Sequence, residues 1–235
     1  MSITIASPGP RLTAALSRRP TLREIAIAFG LPTALFTVVS LAWLVRTGGI
    51  VRISDARLHT TVGVELVLAL FILPYLKKRG WRPGDIAGSP TPIDLVRGVG
   101  VVFAAYLSIY LVVLVLHFTA PAAAEALRSS PIMGTVSPLS VLATAIINPV
   151  FEEFLWLGYA IPAVGARYGL RVAIAVSIAL RVAVHTYQGA LAFVTILPAA
   201  IVFTWYFIRT DRLWPVIVAH MIVDAIGLSL LAAPR

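Results

Sequence analysis

The feature that most constrains this chain is a pair of adjacent glutamates, Glu152 and Glu153, in the middle of an apolar run from Leu139 to Ile161. A run of that length is typical of a helix that crosses a membrane. An ionised side chain at bilayer depth costs roughly 3 kcal/mol on insertion scales. Two such acids therefore need partners, which the rest of the chain must supply.

The composition places the chain in a membrane. It is 59% hydrophobic and 12% charged, with a mean hydropathy of +0.93, whereas roughly a quarter of the residues of a soluble domain are charged. The formal net charge is +9, but the basic residues lie in short segments between apolar runs, so we expect a lipid bilayer and no nucleic acid as partner. With no cysteine, the chain has no disulfide and no thiolate metal site. The sequence does not define an oligomeric state.

The apolar runs predict an all-α fold, a polytopic membrane helix bundle of about seven transmembrane helices. Residues 1–20 are rich in Pro, Ser and Arg and are expected to be a mobile cytoplasmic tail, while residues 21–235 form a single transmembrane domain. The candidate catalytic residues lie on the fourth, fifth and seventh spans. The predicted spans are Ile25–Val45, Thr60–Leu76, Leu95–Phe118, Pro138–Val164, Val172–Tyr187, Leu191–Ile208 and Trp214–Leu231.

The distribution of Lys and Arg predicts a cytoplasmic N-terminus, because positive charge is enriched on the inner side of a membrane. In that orientation twelve basic residues lie inside and five outside. The inner ones are Arg11, Arg18, Arg19, Arg23, Lys77, Lys78, Arg79, Arg82, Arg167, Arg171, Arg209 and Arg212; the outer ones are Arg46, Arg52, Arg57, Arg128 and Arg235.

The two glutamates are about 100° apart around a helix, so we expect them to have different partners. Pro149 lacks an N–H and predicts a kink or local unwinding just before the pair. Asn148 lies four residues before Glu152 on the same face, where its amide can bond the acid or a water. The alternative is an acid pair held only for packing.

Two later spans carry further ionisable residues at helical spacing. Arg181 and His185 share one face, and the guanidinium stays charged and therefore needs an acid. His220 and Asp224 are also four residues apart, and the carboxylate can hold one imidazole nitrogen and direct the other. Scattered without partners, these charged groups and the two glutamates would cost on the order of 15 kcal/mol. We expect them to converge in one hydrated cavity.

A carboxylate and an imidazole that share a water form a general base for hydrolysis, and a second His and Asp can stabilise an oxyanion. The alternative is zinc held by His185, His220 and a carboxylate. The helix spacing of zinc proteases, HExxH, is not found. We therefore expect no cofactor and keep zinc as the second interpretation.

Three motifs in this order resemble those of the CAAX-processing and bacteriocin-processing intramembrane proteases, the type II CAAX prenyl endopeptidase group. The family pattern Glu-Glu-x-x-x-Arg corresponds to Glu152–Leu157, Phe-x-x-x-His to Arg181–His185, and His-x-x-x-Asn or Asp to His220–Asp224. The resemblance covers about residues 92–232. Leu157 stands where the family has Arg, and Arg181 stands where it often has Phe.

The resemblance implies a glutamate-type intramembrane protease in a bacterial cell membrane, without a metal, that cleaves a peptide or membrane-protein substrate. Glu152 would activate water with His185, and a cation would hold Glu153. The third motif, His220 and Asp224, would orient water or stabilise the oxyanion. We hypothesise that Arg181 replaces the missing motif Arg as the partner of Glu153.

Two alternatives stay open. A family member that lost turnover with the Arg at position 157 would act as a membrane scaffold or bacteriocin-immunity protein. A proton-coupled transporter would use the same acids as a relay, with Glu65 as a further station. The lack of an internal repeat disfavours the transporter.

Overall fold

The computed structural model describes residues 9–128 and 132–232, and most of these residues are helical. The predicted all-α helix bundle is confirmed. Two segments, π1 (Ala26–Gly30) and π2 (Phe154–Ala160), are π-helical. The α-helices are α1 (Pro10–Leu16), α2 (Leu22–Ile25), α3 (Leu31–Thr47), α4 (Asp55–Lys78), α5 (Pro83–Ala87), α6 (Pro92–Thr119), α7 (Pro121–Arg128), α8 (Pro138–Glu153), α9 (Ile161–Tyr168), α10 (Leu170–Val184), α11 (Leu191–Thr210) and α12 (Trp214–Ala232).

Helices long and apolar enough to cross a membrane make this an integral membrane protein. Within the described residues there are six such stretches: Leu22–Thr47, Asp55–Lys78, Pro92–Thr119, Pro138–Tyr168, Leu191–Thr210 and Trp214–Leu231. Each contains one of the predicted spans. The count of seven and the cytoplasmic N-terminus stay predictions.

The predicted fifth span, Val172–Tyr187, corresponds to α10, which has only 15 residues and is followed by a 3₁₀ turn at Thr186–Gln188. A helix of that length is about 22 Å long, shorter than the hydrocarbon core of about 30 Å. If α10 begins at one membrane surface, its last residues therefore lie inside the bilayer. In that arrangement His185, the residue directly after α10, lies inside the bilayer as well.

The first helix packs on the bundle, although the sequence assigns its residues to a mobile tail. Leu12 is 2% exposed and lies in the main apolar core. The side chain of Asp211 accepts hydrogen bonds from the backbone N–H groups of Arg11, at 2.6 Å, and Leu12, at 3.0 Å. These are orphan amides of the first helical turn, so the carboxylate caps α1 from a distant part of the chain.

The same end of the bundle is held by two buried acids. Glu24 accepts from the indole N–H of Trp81 at 2.6 Å and from the Arg79 side chain at 3.0 Å. Asp94, at the start of α6, accepts two hydrogen bonds from Arg212, at 2.8 and 2.6 Å. The bonds to Asp94 raise the pKa of the Arg212 guanidinium above its ordinary value. These pairs connect the ends of helices that are far apart in the sequence.

At the opposite end, two short strands pair in parallel. They are β1 (Val51–Ser54) and β2 (Ile132–Thr135), and each precedes a long helix. Asp55, at the start of α4, accepts from the backbone N–H of Ser137 at 2.8 Å. The sequence did not predict β2, because four residues show too little alternation to indicate a strand.

Close approach between α6 and α12 depends on Gly98. A Cβ at this position would lie 2.5 Å from Cγ1 of Val218 and 3.1 Å from the carbonyl oxygen of Pro215. Small residues allow membrane helices to pack backbone against backbone. This contact holds α12, which carries His220 and Asp224, against its neighbour.

Candidate active site

The helix that carries the glutamate pair changes its geometry directly after the pair. Helix α8 is continuous through Pro149 to Glu153, and π2 begins at Phe154. The kink or local unwinding predicted just before the pair is therefore wrong, and the irregularity follows the pair. A later proline, Pro162, offers a physical reason, because it cannot donate a hydrogen bond back to the preceding turn. π-helical segments are frequent at functional sites.

Glu153 is bound at two points by Arg181. The guanidinium donates to Oε1 at 2.8 Å and to Oε2 at 2.7 Å. The Glu153 side chain is 0% exposed and that of Arg181 5%. The pairing of Arg181 with Glu153, hypothesised from the resemblance in which Arg181 replaces the motif Arg, is present in the structure. A bidentate, charge-assisted pair of this kind fixes both side chains in one geometry.

His220, on α12, contacts this pair. Its Nδ1 lies 2.7 Å from Oε1 of Glu153, and its Nε2 lies 3.5 Å from Oδ1 of Asp224. The Asp224 contact follows the predicted spacing of four residues. The Glu153 contact was not predicted, because helical spacing carries no information about which residues of another helix are in reach. Glu153 therefore connects α8, α10 and α12.

His185 lies at the C-cap of α10, with its Nδ1 2.8 Å from the carbonyl oxygen of Arg181. A carbonyl can only accept, so Nδ1 carries the proton and the neutral ring keeps its lone pair at Nε2. The turn after His185 is bound to α3. Ser40 bonds the hydroxyl of Thr186 at 3.0 Å and accepts from the backbone N–H of Tyr187 at 2.7 Å. Sequence reasoning missed Ser40, since a lone serine in an apolar span shows no pattern.

Glu152 differs from its neighbour. It is half-buried, and its Oε2 is buried with no hydrogen-bond partner among the described residues. It lies within electrostatic range of Arg181 and Glu65. In the same part of the chain no hydrogen bond joins it to His185 or Asn148, and Asn148 is half-buried on the same helix. A carboxylate in this state has lone pairs available for water.

Glu65 also belongs to this region, and the sequence left its role open. It lies on the buried face of α4, is 2% exposed, and its Oε2 has no hydrogen-bond partner within residues 9–128 and 132–232. It interacts electrostatically with Glu152, Asp224 and His220. The structure thus adds α4 to the three helices that the sequence assigned to the site.

A catalytic zinc site of the alternative interpretation needs three protein ligands close together. Over the described ranges, no group of three His, Asp or Glu side chains is arranged to hold a metal ion. The zinc alternative lacks this support. The expectation that no cofactor is needed stays a prediction.

Comparison with known proteins finds a family resemblance over part of the chain. Residues 134–226 match the family model described as type II CAAX prenyl endopeptidase Rce1-like. No curated protein and no solved structure matches the chain. The resemblance inferred from the three motifs is confirmed over these residues, which include Glu152, Glu153, His185, His220 and Asp224.

Proposed function

Since the chain carries a segment of the type II CAAX prenyl endopeptidase kind, we propose that it is an intramembrane endopeptidase that uses a water activated by Glu152 and His185. Its substrate would be a peptide or a membrane protein. The observation that carries the proposal is the difference between the two glutamates. Glu153 is bound by Arg181 and His220, whereas an oxygen of Glu152 has no partner among the described residues.

In the proposed reaction, a water lies between Glu152 and the Nε2 lone pair of His185. Glu152 takes a proton from this water as the oxygen attacks the carbonyl carbon of the scissile bond. The carbonyl becomes an oxyanion. Both ring nitrogens of His220 face carboxylates, Nδ1 that of Glu153 and Nε2 that of Asp224, so each nitrogen carries a proton, and the Nε2–H stabilises the oxyanion. The C–N bond then breaks, and Glu152 returns its proton to the leaving nitrogen. The products are a carboxylic acid and an amine.

The remaining residues position these groups. Arg181 and Glu153 hold each other, and Glu153 in turn accepts from Nδ1 of His220, which leaves Nε2 directed toward Asp224 and the reaction site. This arrangement makes Arg181 a substitute for the motif Arg that Leu157 replaces. The Arg181 carbonyl also determines the His185 tautomer.

A side-chain nucleophile has less support than water. The chain has no cysteine. Ser177, on α10, is 1% exposed and donates to the carbonyl of Trp156 at 3.1 Å, which is a packing contact between α10 and π2.

The test is Glu152→Gln in protein reconstituted into liposomes, with a pool of quenched fluorescent peptides as probe. A second probe is a peptide in which three residues follow a farnesylated Cys. We expect a loss of at least about 100-fold in cleavage, because general-base catalysis contributes 10²–10⁴. Asp85→Asn is the control, since Asp85 is exposed and far along the chain from the site. Cleavage by Glu152→Gln at the wild-type rate would overturn the mechanism.

A second candidate is a family member without turnover that acts as a scaffold or immunity protein. Leu157 favours it, because this side chain is 0% exposed in the core and supplies no cation where the family motif has one. Under this alternative, a Glu152→Ala, His185→Ala protein keeps its biological activity. Under the first proposal that activity is lost.

A further inference from the structure

Glu65 is an acid whose burial the proposed reaction leaves unexplained. It lies ten residues into α4 and shares a face with Leu58, Val62, Ile72 and Leu76, which are all buried. Its neighbour Leu66 is 47% exposed on the outside of the bundle, so the glutamate faces inward and the adjacent leucine faces outward. An ionisable residue in this position of a membrane helix marks a functional site more often than a packing role.

The surroundings of Glu65 contain more acids than free cations. The side chains that interact with it electrostatically are Glu152, Asp224 and His220. The guanidinium of Arg181 is already bound to both oxygens of Glu153. Arg57, at the start of α4, donates to the carbonyl of Arg52 and lies over the rings of Trp43 and Tyr187. Neither arginine is paired with Glu65.

Glu65 and Glu152 have the same unsatisfied feature. Each has one buried carboxyl oxygen, Oε2, without a hydrogen-bond partner in the described part of the chain. A buried polar atom in a native protein nearly always has a partner or an ordered water. Two carboxylates that share a site do not both ionise readily, and one proton between them removes the repulsion and supplies a donor.

From this geometry we infer that Glu65 is a positioning residue of the active site: it keeps its proton and donates a hydrogen bond, through one water, to the unpartnered oxygen of Glu152. This bond orients the Glu152 carboxylate toward the attacking water. The effect of this hydrogen bond on catalysis rests on the proposed function. The proton on Glu65 does not depend on that function.

Infrared difference spectroscopy tests the proton directly. In protein with ¹³C-labelled glutamate, we expect a protonated-carboxyl C=O band at neutral pH that is absent from Glu65→Gln and displaced in frequency in Glu152→Gln. The matched control is Leu66→Gln, which adds an amide to the adjacent, lipid-facing position and leaves the band in place. If the band is still present in Glu65→Gln, the inference is wrong, whether or not the protein is a protease.

Cleavage kinetics test the positioning role with the same peptide pool. Glu65→Gln keeps a neutral donor, so we expect it to retain at least half of the wild-type kcat. Glu65→Leu has no donor, and we expect a loss of about tenfold in kcat with KM changed less than twofold. The positioning role of Glu65 is wrong if Glu65→Leu has the wild-type kcat, or if a folded Glu65→Gln protein loses as much kcat as Glu65→Leu. Either result leaves the proposed function untouched. The separate Glu152→Gln experiment decides the proposed function.

Discussion

Arg181 binds Glu153 from a neighbouring helix through two parallel hydrogen bonds of 2.8 and 2.7 Å, and both side chains are almost fully buried. Burying two charges is costly, and their attraction offsets that cost only when the geometry is good and the remaining lone pairs are satisfied. Here His220 satisfies a further position on Glu153. The pair thus connects the stability of the bundle to the geometry of the site.

Removal of Arg181 should therefore destabilise the protein strongly. For Arg181→Leu we expect a loss of about 3–5 kcal/mol, because Glu153 keeps its buried charge without its cation. Unfolding in mixed micelles measures this loss. Glu153→Gln combined with Arg181→Leu should lose less than the sum of the two single changes, and strictly additive losses would show that the two side chains do not interact.

The two adjacent glutamates should lose very different amounts of stability on the same substitution. Glu153→Gln removes the charge that Arg181 and His220 both need, so we expect a loss of about 3 kcal/mol in the free energy of unfolding. Glu152→Gln removes a charge without a hydrogen-bonded partner at one oxygen, so the loss should stay below about 1 kcal/mol. Each variant is the control for the other. Equal losses would contradict the assignment of Glu153 as the structural acid.

Gly98→Val should separate α12 from α6. The added Cβ meets Val218 and the Pro215 carbonyl, and a clash of this kind costs about 1–3 kcal/mol in a packed core. Gly100→Val is a matched control on the same helix, since a Cβ there meets nothing within 4 Å. Thermal unfolding in detergent compares the two. The prediction fails if Gly100→Val is as destabilising as Gly98→Val.

Asp211→Gly should release α1. Asp211 has a φ of 56°, which glycine adopts without strain, so the backbone is kept while the carboxylate that caps Arg11 and Leu12 is lost. We expect trypsin to cut after Arg11 and Arg18 at least severalfold faster. Asp85→Asn, which loses only the exposed contact with Arg18, should have a smaller effect. An unchanged cutting rate would mean that burial of Leu12 alone holds the helix.

Local sequence patterns were sufficient for several parts of this protein. The long apolar stretches are predictable because a membrane helix must satisfy its backbone within itself and must cover the bilayer with apolar side chains. The pairs Arg181 with His185 and His220 with Asp224 follow from the helical repeat, and the need of a buried guanidinium for an acid points to the glutamate pair.

Contacts between distant parts of the chain were not predictable in this way. The capping of α1 by Asp211 joins residues about 200 positions apart, and no local pattern relates them. The pairing of β1 with β2 likewise depends on where two long helices start. Because the composition of residues 1–20 does not show the contact with Asp211, the sequence predicted a mobile tail where residues 10–16 form a packed helix.

The sequence by itself determined that the protein is a helical membrane protein with an acid pair at mid-depth and with candidate partners on two later helices. Only the tertiary structure decided which acid takes which partner, that Glu153 connects three helices, and that Glu65 from α4 reaches the same region. The physical reason is that the helical repeat sets which residues share a face, whereas the rotation and contact of one helix against another depend on packing. Close contacts such as that of Gly98 with Val218 determine that packing.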